Sequence, residues 1–169
     1  ESVSQVIKSN SPDFAPGDIV AGHFGWQEYA VTRAHSRRFR SVNPDLGPIS
    51  TALGVLGMPG NTAYFGLLRV GQPKAGETVV VSAASGAVGS VVGQIAKIKD
   101  CRAVGIAGGE AKCAYLVDEL GFDTAVDYKG GNLEADLKAA CPDGIDVYYE
   151  NVGGPVLRAV VPLLNNGSR

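Results

Sequence analysis

Glycine recurs at short intervals at the point where an apolar run gives way to a helical one. Residues 82–93 read SAASGAVGSVVG, directly after Thr78-Val-Val-Val81 and directly before Gln94-Ile-Ala-Lys97. Gly86 and Gly89 form G-x-x-G, with Ala83 three residues earlier and Gly93 four residues later. Such spacing lets the main chain pass close to a pyrophosphate and lets the helix seat tightly on its strand, while free N–H groups of the first helical turn bind phosphate oxygens. A side chain at Gly86 or Gly89 would occupy space that the phosphates or the neighbouring strand need. The strict G-x-G-x-x-G is absent, because Ala84 stands two residues before Gly86. Its context, strand before and helix after, is nevertheless the one a dinucleotide turn requires. No Gly-Lys-Ser/Thr follows, which disfavours a P-loop.

The second strand of such a unit sets cofactor choice. An NAD site places an acid at its end to bind the ribose 2′-hydroxyl. Here the strand ends Val104-Gly-Ile-Ala-Gly-Gly109, with no acid at the tip and Glu110 and Lys112 just beyond. An uncharged tip followed by Lys112 suits a 2′-phosphate, which a carboxylate would repel and an ammonium attracts. The alternative for Lys112 is a solvated lysine at a helix start.

These residues need elements to hold them. From Gly76 onward the chain alternates: strands are expected at Thr78–Ser82, Ala103–Ala107, Thr124–Asp127 and Asp146–Glu150, with helices at 87–99, 110–120 and 132–140. This rhythm implies a parallel sheet covered by helices, since parallel neighbours need long crossovers. A last helix is expected from Pro155 to Leu164, bent or ended early by Pro162. Four strands fall short of the six usual in a complete doubly wound dinucleotide sheet, and the chain starts at Glu1 without Met. Both lead to the expectation of a chain cut from a longer one. Residues 1–45 read as short strands (Val3–Ile7, Asp18–Ala21, Glu28–Val31) between Pro/Gly/Asn-rich breakers, and LGPISTALGVLG (46–57) and PGNTAYFGLLRVG (59–71) read as two linking helices. The expected fold is α/β: a Rossmann doubly wound sheet over 76–169, incomplete at its end, with linking helices over 46–75 and β-rich material over 1–45.

Composition narrows the partners. The 169 residues are 45% hydrophobic, enough for a real core, and carry a formal net charge of −2. That gives no broad positive surface for nucleic acid or an anionic membrane. The one basic cluster, His35-Ser-Arg-Arg-Phe-Arg40, reads as a solvated loop. Cys101, Cys113 and Cys141 lie far apart without C-x-x-C, so neither a zinc knuckle nor a disulfide set is indicated, and a reduced cytosolic setting fits. No stretch has the apolar length of a membrane span, and no secretory pattern opens the chain. His23 and His35 stand alone, which suits turn or surface roles better than metal ligation, and no metal is expected.

GMPGNTAYFGLL (57–68), KAGETVVVSAASGAVGSVVGQIAK (74–97), ELGFDTAVDY (119–128) and YYENVGG (148–154) together resemble the zinc-independent medium-chain dehydrogenase/reductases, in the leukotriene B4 12-hydroxydehydrogenase/prostaglandin reductase branch with its NADPH-dependent alkenal and enone reductases. The resemblance runs from Gly17-Asp-Ile-Val20 onward. It implies a Rossmann domain paired with a GroES-like catalytic domain, of which 1–45 would be part, and reduction of the carbon–carbon double bond of an enone or enal. NADPH would give hydride to the β-carbon and solvent or a nearby hydroxyl a proton to the α-carbon. No acid/base pair in this chain is required, and no catalytic residue is assigned. Carried over by motif, Gly86, Ala87, Val88 and Gly89 would hold the pyrophosphate of NADP(H), Lys112 its 2′-phosphate, Tyr128 the adenosine side and Asn151 the nicotinamide half. The family often has Ser where this chain has Gly109, so a hydroxyl donor near the 2′-phosphate is missing. The resemblance further implies a cytoplasmic homodimer acting on a small molecule.

Bland alternatives stay open for each of these. Tyr128 can simply pack beside the third strand of the alternation, and Asn151 can form the turn before Gly153-Gly154. Tyr64 invites assignment as a proton donor but is expected to be a packing aromatic. For the whole protein the rivals are a quinone reductase of the same superfamily and a non-catalytic NADP-binding module.

Overall fold

Val79, Val80 and Val81 are fully buried, and their side chains divide between two cores as strand alternation requires. The computed structural model describes residues 1–34 and 39–169. Most of the basic cluster, His35 to Arg38, therefore lies outside the described residues. Two compact units are present, Glu1–Pro59 and Gly60–Arg169.

In the second unit β4 (Thr78–Val81), β5 (Arg102–Ala107), β6 (Thr124–Asp127) and β7 (Val147–Tyr149) form a parallel sheet in the order β6-β5-β4-β7. Val79 and Val81 pack with Val92 and Ala96 of α2 (Gly89–Ile98) and Leu116 of α3 (Glu110–Asp118). Val80, Val104 and Ile106 pack with Leu137 of α4 (Leu133–Ala140) and Val156 and Val160 of α5 (Gly154–Val160). Helices thus cover both faces, which explains why β4 is an unbroken apolar run rather than an alternating one. From β4 the chain crosses one way to β5 and β6, then returns to β7 on the other side of β4. This is the doubly wound order, with its crevice at the carboxyl ends of β4 and β7. The last helix ends at Val160 and tightens into a 3₁₀ turn, Val161–Leu163, containing Pro162.

The first unit holds an antiparallel sheet of β1 (Ser2–Gln5), β2 (Ile19–Gly22) and β3 (Phe39–Ser41). The expected strand at Glu28–Val31 does not form, and Tyr29 and Val31 are exposed. The third strand comes instead from within the basic stretch. There the Phe39 ring sits 5.3 Å from that of Phe14 and 5.7 Å from that of Phe24, and Arg40 donates to the Ala52 carbonyl at 2.7 Å. The helix expected over 46–57 is also replaced, by 3₁₀ turns at Pro44–Leu46 and Ile49–Leu53. Pro48 lacks an N–H and keeps its predecessor out of the α region, so no helix passes through it. The second expected helix is present as α1 (Met58–Phe65), running into a π-helical stretch, Gly66–Gly71. Among the described residues no helix is long and apolar enough to cross a membrane.

Candidate functional site

β4 ends in a tight turn at the crevice. Ala83, at φ 47°, reverses the chain, its carbonyl accepts the Gly86 N–H at 2.9 Å, and α2 begins at Gly89. A Cβ on Gly89 would lie 2.5 Å from the Ala83 oxygen and 2.8 Å from Ala84 Cα, both main-chain atoms. Gly89 is therefore what lets α2 seat on the end of β4. A Cβ on Gly86 would come to 3.1 Å from the same oxygen. No side chain caps the start of α2; the Ser90 N–H donates to the Gly86 carbonyl at 2.9 Å and the Val91 and Val92 N–H groups to the Val88 carbonyl at 3.1 and 3.0 Å, so the amides of the preceding turn, Ala87 to Gly89, are the ones that suit an anionic ligand.

A cavity of about 740 Å³ opens beside this turn. Its walls come from the ends of the strands: Ala83, Ser85 and Gly86 after β4, Ile106 to Gly108 at the end of β5, and Val152, Pro155 and Val156 after β7. Lys112 and Tyr115, three residues apart on one face of α3, complete the wall with Tyr128 and Leu133. Of the residues singled out by sequence, Gly86, Lys112 and Tyr128 meet in this cavity. Ala87, Val88 and Gly89 lie in the turn and helix start behind it, and Asn151 lies beside Val152 at its rim. Lys112 is exposed and forms no ion pair with any described acid. The Tyr128 ring lies over Gly108, where a Cβ would come within 2.8 Å of it. Tyr115 and Gly108 were not anticipated, although the spacing of Tyr115 from Lys112 on a helix was the available signal.

The tip of β5 differs from its sequence reading in one respect. No residue of β5 itself is acidic, but Ala107 is in register with Asp127 of β6, which brings a carboxylate to the same edge. Asp127 Oδ1 accepts the Gly109 N–H at 2.7 Å and the Lys129 N–H at 2.9 Å. These two bonds, the Gly109 bond foremost, hold the carboxyl below its ordinary 3.8. Gly109 itself has φ 98° and ψ 148° and serves as the N-cap of α3. That conformation is open to glycine and strained for serine. The missing serine hydroxyl thus follows from the shape of this turn.

A second carboxylate organises the other edge of the crevice. Glu150 Oε1 accepts the Ser82 hydroxyl at 2.8 Å and the N–H groups of Val152 at 2.5 Å and Gly153 at 2.8 Å, while Oε2 accepts the Tyr148 hydroxyl at 2.7 Å. Burial pushes its pKa up, but these four donors outweigh burial and hold it below the ordinary 4.5. Tyr148 is driven the other way, upward, by burial and by donating to the carboxylate. Asn151 joins the same group: its main-chain N–H donates to Ser82 Oγ at 2.7 Å and its side-chain Nδ2 to the Ser82 carbonyl at 2.9 Å. The side chain of Asn151 thus braces β4 against the turn after β7. Tyr64 is half-exposed and meets Phe65 edge-on, ring centroids 5.3 Å apart. Among the described residues no His, Cys, Asp or Glu cluster could hold a metal ion.

Residues 87–169 match the family described as zinc-binding dehydrogenase, and residues 1–39 match the N-terminal domain of oxidoreductase. The chain is 52% identical over 168 residues to the NADPH-dependent curcumin reductase of Escherichia coli (strain K12), covering 99% of this chain and 48% of that protein. It is 51% identical over 163 residues to prostaglandin reductase 1 of Mus musculus, covering 95% and 49%. Among solved structures, CurA from Vibrio vulnificus in complex with NADPH superposes with a TM-score of 0.91 at 51% identity, over 98% of this chain and 49% of that one. The chain spans about half the length of the curated relatives it matches.

Proposed function

The chain belongs to the medium-chain dehydrogenase/reductase family, in its zinc-independent enone-reductase branch, and from that premise we propose that the whole protein reduces the carbon–carbon double bond of α,β-unsaturated ketones or aldehydes with NADPH. The observation that carries the reading is the cavity at the carboxyl ends of β4, β5 and β7 with the unpaired Lys112 in its wall. The residues fit the cofactor: the uncapped start of α2 and the side-chain-free positions Gly86 and Gly89 suit a pyrophosphate. The free ammonium of Lys112 suits a 2′-phosphate, and the Tyr128 and Tyr115 rings suit the adenosine. Asn151, at the carboxyl end of β7, is assigned to the nicotinamide half through the turn that it and Glu150 shape.

When bound, NADPH supplies the hydride that the β-carbon receives. The chain's own part is to orient: the glycine turn fixes the pyrophosphate, α3 fixes the ribose end, and the Ser82–Glu150–Asn151 group fixes the rim of the crevice. We assign 76–169 to the cofactor-binding domain, 46–75 to the linker and 1–45 to a GroES-like catalytic domain. We further assign a small-molecule enone or enal substrate, a homodimer and a cytoplasmic setting. Three free cysteines, Cys101, Cys113 and Cys141, support a reducing compartment.

The test is NADPH oxidation by the intact protein with an enone, an enal and a quinone as acceptors. Oxidation fastest with the enone or enal is the expected outcome. Faster oxidation with the quinone would reassign the protein as a quinone reductase, and cofactor binding without turnover on any acceptor would make it a binding module.

A further inference from the structure

Asp127 has no part in holding the cofactor in the reading above, yet it holds the residue that precedes α3. Its Oδ1 takes the Gly109 N–H at 2.7 Å, and the Gly109 carbonyl in turn accepts the Lys112 N–H at 3.1 Å. One carboxylate oxygen, one glycine and one lysine are thus linked in series across the ends of β5 and β6. The same oxygen takes the Lys129 N–H at 2.9 Å, which ties the turn after β6, and with it Tyr128, to the turn after β5. Both turns line the cavity through Gly108, Lys112 and Tyr128.

An acid at this edge invites the opposite expectation, that it selects NADH by repelling a 2′-phosphate. The geometry argues against that role. The acid sits on β6, one strand beyond the one whose tip carries the selecting acid in NAD sites. Its Oδ1 is engaged by two main-chain amides, so its charge is held by dipoles already in place and is turned to the two turns it joins.

We propose that Asp127 is a positioning residue for cofactor choice: by anchoring the Gly109 amide it sets the first turn of α3, holds Lys112 on the wall of the cavity, and thereby supports preference for NADPH over NADH. This rests on the assignment of Lys112 to the 2′-phosphate. The side chain never needs to touch the cofactor.

The test is calorimetric titration of NADPH and NADH into the intact wild-type protein and its Asp127→Ala, Asp127→Glu, Asp127→Asn and Lys112→Ala variants. Asp127→Glu keeps the charge but displaces the acceptor, while Asp127→Asn keeps an acceptor oxygen and removes the charge. We expect the NADPH preference to fall roughly ten-fold in the Ala and Glu variants and to stay within about two-fold of wild type in Asn, any loss of NADH affinity through the Tyr128 turn being smaller than the loss of NADPH affinity. In a Lys112→Ala background, Asp127→Ala should change the preference no further, the non-additivity expected of residues acting in series. In the cofactor-free protein, Asp127→Ala should speed hydrogen exchange at the Gly109 amide.

An unchanged preference in both Ala and Glu variants overturns the proposal, as does an equal loss for both cofactors. A preference that rises in the Ala variant marks Asp127 as a repelling acid and overturns it too. If Asp127→Ala does not fold, the contrast between Glu and Asn decides on the same criteria. A wild type without NADPH preference, or a Lys112→Ala variant that retains it, removes the Lys112 assignment and the positioning role with it. Failure confined to the Asp127 variants leaves the Lys112 assignment standing.

Discussion

At the end of β6 one carboxylate oxygen takes two main-chain amides, those of Gly109 and Lys129. At the end of β7 another carboxylate takes two main-chain amides as well, those of Val152 and Gly153, and adds the hydroxyls of Ser82 and Tyr148. The two edges of the crevice are built on the same device with different depth. Asp127 fastens one surface turn to another. Glu150, itself exposed, reaches Ser82, which is fully buried at the end of β4, so this carboxylate is tied to the core through its partner. A polar group inside costs most when its partner is removed, because the orphan cannot turn to water. The Glu150 edge should therefore govern stability, and the Asp127 edge should govern selectivity.

The largest expected effect follows directly. Glu150→Ala takes away the short acceptor of the buried Ser82 hydroxyl, leaving it only the longer 3.4 Å contact to the Tyr149 carbonyl, and frees the Val152–Gly153 turn, and should destabilise the protein by about 2–3 kcal/mol in urea unfolding. Glu150→Gln keeps an oxygen acceptor and should cost less than half as much. NADPH and NADH should weaken together in Glu150→Ala, since the crevice rim serves both. If Glu150→Ala proved no more destabilising than Asp127→Ala, the distinction between a core-anchored and a surface-anchored edge would collapse.

A smaller effect is expected at Gly109. With φ 98° and ψ 148°, Gly109→Ser forces a side chain into a region nearly reserved for glycine, at a cost of about 1–2 kcal/mol. From the family's frequent serine, a stronger NADPH preference would be anticipated on this substitution. In this turn the strain shifts the Gly109 amide that Asp127 holds, so the preference should stay level or fall. An increase in NADPH preference without loss of stability would show that the turn can relax, and would weaken the case for a rigid Asp127 edge.

What could be read in advance differs sharply between the units. β4 was legible because Thr78–Val81 is buried on both faces and leaves a continuous apolar run. The starts of α3 and α4 were legible from the rhythm around them. The Glu28–Val31 segment shows strand-like residues but forms no strand, and β3 begins in a charged stretch, where Phe39 packs on Phe14 and Phe24. At the candidate site, Gly86 is singled out by glycine spacing, Lys112 by its charge beyond an acid-free strand tip and Tyr128 by the resemblance alone, and all three line the cavity. Asp127 and Glu150 are not singled out. Their roles depend on register, Ala107 beside Asp127, and on pairing that brings Ser82 to Glu150 across 68 residues. No local pattern encodes either contact.

The smallest expected effect separates the two edges by pH. Both carboxyls are held below their ordinary values, so each contributes stability that is complete above its unfolded-state pKa and is lost as pH falls through its folded-state pKa. The ordinary values are 4.5 for the glutamate and 3.8 for the aspartate. On acidification the Glu150 contribution should thus begin to fade first, and that of Asp127 only at lower pH. Neither should change between neutral and mildly alkaline pH, where both groups are ionised folded and unfolded. Urea unfolding of wild type, Glu150→Ala and Asp127→Ala across the acid range reads this directly. The gap between wild type and Glu150→Ala should narrow as the solution passes below 4.5, while the smaller gap to Asp127→Ala holds until the pH passes below 3.8. Gaps that stayed constant down to the acid transition would mean that neither carboxylate is stabilised in its ionised form, and the hydrogen bonds to Gly109 and Gly153 would then have to be neutral in their energetic effect.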